Sequence, residues 1–181
     1  ITEETGKILS KNKDIFWIID PIDGTTNFLH GIPHFAISIA LQKDGEIVTG
    51  LIFDPIKNEI FYAEKNNGSF INNNRVRVSS KTKLDECLFA TNSQGIKSIY
   101  PKLNVRNTGC AALDMAYVGC GRLDGYFHNK INLWDIAAGK IIVEEAGGKI
   151  NNINEFGINE IDIRAGNPSI YEKMIKKLVN F

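Results

Sequence analysis

The sequence predicts a layered α+β or α/β sandwich, with an antiparallel sheet from the first half of the chain and a mixed α/β layer from the second. Two observations carry this expectation. Up to about residue 76, short runs of β-branched and aromatic residues alternate with turn residues. Beyond Cys87, short strand-like runs instead alternate with segments that are apolar at helical spacing. The change of character divides the chain into a sheet subdomain, 1–86, and an α/β subdomain, 87–181.

Residues 16–19, Phe-Trp-Ile-Ile, read as a buried strand that ends at Asp20, where open α/β sheets collect ligands. Strands over 35–41, 47–53 and 59–63 follow. They are joined by turns at Lys43-Asp44-Gly45 and Asp54-Pro55, and further hairpin turns are expected at Asn66-Asn67-Gly68 and Asn72-Asn73-Asn74. In the second half, 88–91 and 123–127 read as strands and 111–118 as a helix of small residues. A helix over 134–146 stops at Gly147-Gly148, and strands near 149–153 and 161–164 follow it. Asn167-Pro168 opens a last helix, Asn as cap and Pro in the first turn, with Ile170, Met174, Ile175 and Leu178 on its apolar face.

Lys plus Arg equals Asp plus Glu, 21 each, so the net charge is zero and no basic stripe marks a nucleic-acid surface. Direct nucleic-acid binding is therefore not expected. Cys87, Cys110 and Cys120 are odd in number and lack metal-type spacing, which suggests free thiols in a reducing compartment. No apolar run approaches the ~20 residues of a membrane span, and no signal peptide is visible. A soluble cytoplasmic protein without membrane contact is the expectation. Because the first residue is Ile1 rather than Met, an amino-terminal portion is expected to precede it.

The stretch WIIDPIDGTTNF, residues 17–28, sets two aspartates three residues apart around a proline. The turn is ordinary if both are solvated. If they are buried together, Asp20 and Asp23 repel unless a cation sits between them, and an oxygen-loving ion such as Mg²⁺ suits two carboxylates and nearby carbonyls. Thr25, just past Gly24, is an N-cap or first-turn residue that leaves backbone N–H groups for an anion. Asp135 stands at the mouth of the helix over 134–146, a place where aspartate is also an ordinary capping residue. Glu3 lies in a Glu-Glu pair that, taken alone, reads as a solvated face.

The combination is more specific. In order come Glu-Glu, then DPIDGTTNF (20–28), then GCAALDMAYVGCGRLDGYF (109–127), then WDIAAGKIIVEEAGG (134–148). Together these resemble the inositol monophosphatase family of Mg²⁺-dependent, Li⁺-sensitive sugar phosphatases. The resemblance is to a bacterial extragenic-suppressor-like member without the family's amino-terminal helices. It implies that Glu3, Asp20, Ile22 (through its carbonyl), Asp23 and Asp135 hold two or three Mg²⁺ ions. Glu3 and Thr25 would be the catalytic pair that activates and orients water. Ile22, Asp23, Gly24 and Thr25 would meet the phosphate, with Gly109, Cys110, Ala111 and His128 on the substrate side. It also implies a homodimer and makes the two subdomains one catalytic unit.

The residue types suit the chemistry, because phosphate-monoester hydrolysis needs a nucleophile at neutral pH and compensation of charge on the phosphoryl oxygens. Three departures qualify the resemblance. His128 stands seven residues before Asp135, where inositol-specific members carry a glutamate. Cys110 replaces the usual Ser or Thr, and the 91–106 segment is shorter than in relatives. The expected function is hydrolysis of inositol monophosphate or a similar small polyol or sugar phosphate. Nucleotide 3′-phosphate, fructose bisphosphate and histidinol phosphate are alternative substrates, and a regulatory binding protein of the RNA-synthesis machinery is the alternative of another class.

Overall fold

Six strands drawn entirely from the first half form one antiparallel sheet in chain order: β1 (Ile15–Asp23), β2 (Ala36–Lys43), β3 (Glu46–Asp54), β4 (Glu59–Glu64), β5 (Gly68–Ile71) and β6 (Asn74–Val76). The computed structural model describes residues 1–2, 14–92, 103–151 and 160–177. The meander is set by its turns. Asp44 (φ 52°) and Gly45 (φ 83°), then Asn72 (φ 43°) and Asn73 (φ 68°), supply the paired left-handed conformations that two-residue hairpin loops require.

The second half builds a mixed sheet in the order β10-β11-β9-β7-β8: β7 (Leu88–Ala90), β8 (Asn104–Arg106), β9 (Gly125–Ile131), β10 (Lys149–Ile150) and β11 (Ile161–Gly166). Strand β7 pairs in parallel with both β8 and β9, whereas β9, β10 and β11 pair antiparallel. Between the sheets lie α2 (Ala111–Gly119) and α3 (Leu133–Glu145). One side of this helix pair, with Ala116, Ala138 and Ile142, packs on Ile18, Ala40, Ile52 and Phe61 of the first sheet. The other side, with Val118, Ile136 and Val143, packs on Tyr126, Ile163 and Ala165 of the second. A further helix, α4 (Pro168–Lys177), covers the far face, where Ile170 and Met174 meet Cys87, Phe89 and Phe127. The layers run sheet, helices, sheet, helix, which is the α+β sandwich expected.

The small residues of WDIAAG have a packing reason. A Cβ at Gly139 would lie 2.3 Å from the Met115 Cβ, so the missing side chain lets α3 approach α2. Glu145 at the other end of α3 accepts the Asn66 and Gly68 backbone N–H groups at 2.8 and 2.9 Å, which clips the β4–β5 hairpin to the helix.

Several boundaries differ from expectation. β1 does not end at residue 19 but continues through Pro21 to Asp23. It is the edge strand of an antiparallel sheet, where proline is tolerated, so Asp20 is not positioned by the carboxyl end of a parallel sheet. The strand expected over 123–127 is displaced to Gly125–Ile131, which puts His128 in its middle. Asn167 caps α4 as expected, its Oδ1 accepting the Ile170 N–H at 3.0 Å. Ile175, expected on the apolar face, is 42% exposed. Leu178 and the end of the strand expected over 149–153 lie outside the described residues. No helix among the described residues is long and apolar enough to cross a membrane.

Candidate metal and phosphate site

A bulge in β1 decides where the two motif aspartates point. Successive strand side chains face opposite sides, so residues three apart would diverge. Here Asp20 pairs with Ser38 and Asp23 with Ala36, three steps on β1 against two on β2. The extra residue restores the parity and returns both carboxylates to one side. The Ile22 N–H donates to Asp20 Oδ1 at 3.0 Å, which holds the bulge. Asp20 is 1% exposed and Asp23 9%.

Gly24 (φ 87°) then caps the short helix α1 (Thr25–Leu29), so Thr25 is its first residue rather than its cap. The Thr25 hydroxyl donates to the Ile22 carbonyl at 2.9 Å. Asp135 arrives from α3. Asn132 is the cap of that helix, and its N–H donates to Asp135 Oδ2 at 3.2 Å. Asp135 thus has the ordinary capping role and also faces the other acids, for one ligand atom from each of Asp20, Asp23 and Asp135 lies within 4.8 Å of the others. Glu3, the fourth expected acid, lies outside the described residues. Thr2 before it bridges to Ile19, one residue from Asp20.

The loop at 107–110, leading into α2 at Ala111, closes the other side. Gly109 takes φ 79°, Cys110 caps α2, and the Ala112 N–H donates to Asp23 Oδ2 at 2.6 Å, with Cys110 Sγ 3.2 Å from the same oxygen. A cleft here is lined by Asp23, Gly109, Cys110, Ala111, His128 and Asp135, all expected at the site. Asp20, Ile22, Gly24 and Thr25 are not part of that lining. Sequence reasoning missed Thr91, Asn92, Asn107, Asp114 and Tyr126, which also line it. One signal was available: Asp114 is an acid in the first turn of an otherwise apolar helix. Both of its oxygens lie 2.8 Å from the Thr108 hydroxyl.

Burial governs the electrostatics. It pushes the Asp23 carboxyl up to about 6, with Asp20 acting the same way and the Ala112 N–H and Cys110 thiol pulling against it. Asp114 is pushed up to about 8, again by burial, opposed by the Thr108 hydrogen bond. Burial and then the Arg164 charge push His128 down to about 4, so its ring is neutral at pH 7. The His128 ring stacks on Tyr126, and its buried Nδ1 has no hydrogen-bond partner among the described residues. Burial also raises the Cys110 thiol, which makes it a poor nucleophile. Three crowded carboxylates offering only oxygen donors, one of them reluctant to ionise, fit a hard divalent cation.

A family model described as the inositol monophosphatase family matches residues 1–181. The chain belongs to the inositol monophosphatase family. An inositol-1-monophosphatase of Caulobacter vibrioides is 39% identical over 97% of this chain and 76% of that protein. The Nus factor SuhB of Escherichia coli K12 is also 39% identical, over 98% of this chain and 72% of its own length. Among solved structures, the extragenic suppressor protein suhB of Bartonella henselae superposes with a TM-score of 0.91 at 39% identity, covering 99% of this chain and 76% of that one. An inositol monophosphatase from Anabaena gives 0.87 at 34% identity, covering 99% and 77%. Membership of the inositol monophosphatase family makes this chain a phosphatase with the family's layered fold.

Proposed function

We propose that the chain is a magnesium-dependent, lithium-sensitive phosphomonoesterase acting on inositol monophosphate or a similar small polyol or sugar phosphate. The observation that carries this reading is the convergence of Asp20, Asp23 and Asp135, drawn from both halves of the chain, beside a cleft. These three, with the Ile22 carbonyl and Glu3, would hold two or three Mg²⁺ ions. Bound there, the ions would supply a nucleophile from water at neutral pH and offset charge on the phosphate oxygens.

The remaining work falls to the chain itself. The Gly24 and Thr25 backbone N–H groups take phosphate oxygens at the start of α1. Because the Thr25 hydroxyl proton is engaged with the Ile22 carbonyl, its lone pairs are left to accept from, and so orient, the attacking water together with Glu3. Gly109, Cys110, Ala111 and His128 would meet the organic part of the substrate, and Asp23 would serve both it and the bound ions. On this reading 1–86 and 87–181 form one catalytic unit, working as a homodimer in the cytoplasm.

A second reading, a regulatory partner of the RNA-synthesis machinery, is favoured by relatives that carry the name Nus factor SuhB. The two are separated by phosphate release with and without Mg²⁺ from inositol 1-phosphate, glycerol 2-phosphate, a nucleoside 3′-phosphate, fructose bisphosphate and histidinol phosphate. Binding to RNA polymerase is measured alongside. Mg²⁺-dependent release from the polyol phosphates is the expected result. No release from any substrate, with polymerase binding retained, would replace the first reading by the second.

A further inference from the structure

Next to Asp23, the segment around Gly24 meets the segment around Gly109 and Cys110 at close range. A Cβ added to Gly24 would lie 3.1 Å from the His34 carbonyl oxygen and 3.3 Å from the Cys110 Cβ. One added to Gly109 would lie 3.0 Å from the Asn27 Nδ2. Asn27 sits on α1, 9% exposed, and its amide nitrogen donates to two carbonyls, His34 at 2.8 Å and Thr108 at 2.9 Å. The first bond closes the loop that follows α1, and the second crosses to the other half of the chain.

From Thr108 the connection returns to the acids. The Thr108 hydroxyl donates to Asp114 and accepts the Cys110 N–H at 3.4 Å, and two residues on the Ala112 N–H reaches Asp23 at 2.6 Å. The circuit therefore runs Asn27, Thr108, the 109–111 loop, Ala112, Asp23, and back through Gly24 to α1. The 109–111 segment, which leads into α2, contains a left-handed glycine, the residue with the widest conformational choice, so a tie at its root limits how it samples.

We infer that Asn27 is a positioning residue, one that presets the 109–111 loop against Asp23 so that the cleft meets the organic part of the substrate in a single geometry. The inference rests on the phosphatase reading above. It does not require Asn27 to touch substrate or metal. Its consequence is a division of labour, with α1 serving the phosphate through its backbone and the leaving group through Asn27.

The test compares the full chain with Asn27→Asp, which keeps the shape but loses both N–H donors, and with Asn27→Ala. Steady-state kinetics are read on inositol 1-phosphate and on p-nitrophenyl phosphate, and hydrogen exchange is followed at 107–112 and in β3. For inositol 1-phosphate, KM should rise about tenfold with kcat within about threefold. KM for p-nitrophenyl phosphate should move less, and exchange at 107–112 should quicken with β3 unchanged. Equal losses on both substrates, exchange rising throughout the sheet, or failure of both variants to fold would overturn the inference and leave Asn27 a residue of the fold. If the unmodified chain hydrolyses neither substrate, the phosphatase reading fails instead. Exchange still decides whether Asn27 latches the loop, and unchanged exchange at 107–112 sinks the inference.

Discussion

The Ala112 backbone N–H lies 2.6 Å from an oxygen of Asp23, so the start of a helix from the second half grips a carboxylate delivered by a bulge in the first. The grip partly offsets the burial of Asp23, whose carboxyl is nevertheless pushed up to about 6 with Asp20 close by. The acidic cluster is thus strained as an anion and suited to neutralisation by a cation.

Asp20→Asn tests the cluster directly. Asp20 is almost completely buried beside Asp23 and Asp135. The amide relieves repulsion in the metal-free protein but lacks the negative charge that would hold cations. Mg²⁺-dependent phosphate release should fall by ~100-fold or more. The melting temperature in chelator should hold or rise. Turnover near that of the unmodified chain would remove Asp20 from the machinery.

Asp114 sets a pH dependence. Its folded-state value of about 8 stands above its ordinary value of 3.8. Below 3.8 the folded and unfolded chains are both protonated there, and the stabilising preference for the neutral acid is fully present. As pH rises through about 8, the unfolded chain has already released this proton and that stability is lost. Asp114→Asn keeps an acceptor for the Thr108 hydroxyl and does not ionise. In chelator, its melting temperature should exceed that of the unmodified protein at pH 8 and approach it near pH 4. A constant offset at all pH values would count against the assignment.

Asp124 is a brace rather than a site residue. It is 2% exposed, and its Oδ2 accepts the Leu88 N–H at 2.7 Å and the Lys81 ammonium at 2.9 Å. Asp124→Ala strands the Leu88 N–H where β7 begins. A loss of ~2–3 kcal/mol in denaturant unfolding is expected, with KM unchanged in the surviving folded enzyme. A shift in KM at unchanged stability would contradict this placement.

His128 bears on selectivity. Its neutral, half-buried ring lines the cleft and lacks the charge with which a carboxylate accepts from a polyol hydroxyl. His128→Glu should improve kcat/KM for inositol 1-phosphate about tenfold more than for glycerol 2-phosphate, as for one charged hydrogen bond. Equal response of both substrates, or none, would mean that residue 128 does not read the sugar.

What was legible in the sequence was what local chemistry controls. Asp44-Gly45 and Asn72-Asn73 announce their turns because the required left-handed conformations suit few other residues. Asn167-Pro168 announces a helix start for an equally local reason. The boundaries of β1 and β9 were misread, since a strand ends where its partner ends, and the partner is not local. Asn27, Asp114 and Asp124 lie inside the quoted motifs and Thr108 just before one, but apart from the acid in an apolar helix at Asp114 their residue types alone assign them no role. Their meaning lies in partners such as the Thr108 carbonyl, which is 81 residues from Asn27.

The sequence by itself determined the order of the elements, the family, and which acids were available to meet. Tertiary structure decided that three of them do meet. One inserted residue in the β1–β2 register turns Asp20 and Asp23 to the same side, and the packing of α3 between two sheets carries Asp135 to them from more than a hundred residues away. The motif supplies the local bond that holds the bulge, Ile22 N–H to Asp20, but neither the strand that β1 pairs with nor the seating of the helix is encoded in the motif residues. The pairing partner and the helix seat are set by the summed burial of apolar side chains elsewhere in the layers, and the acids go where that packing takes them.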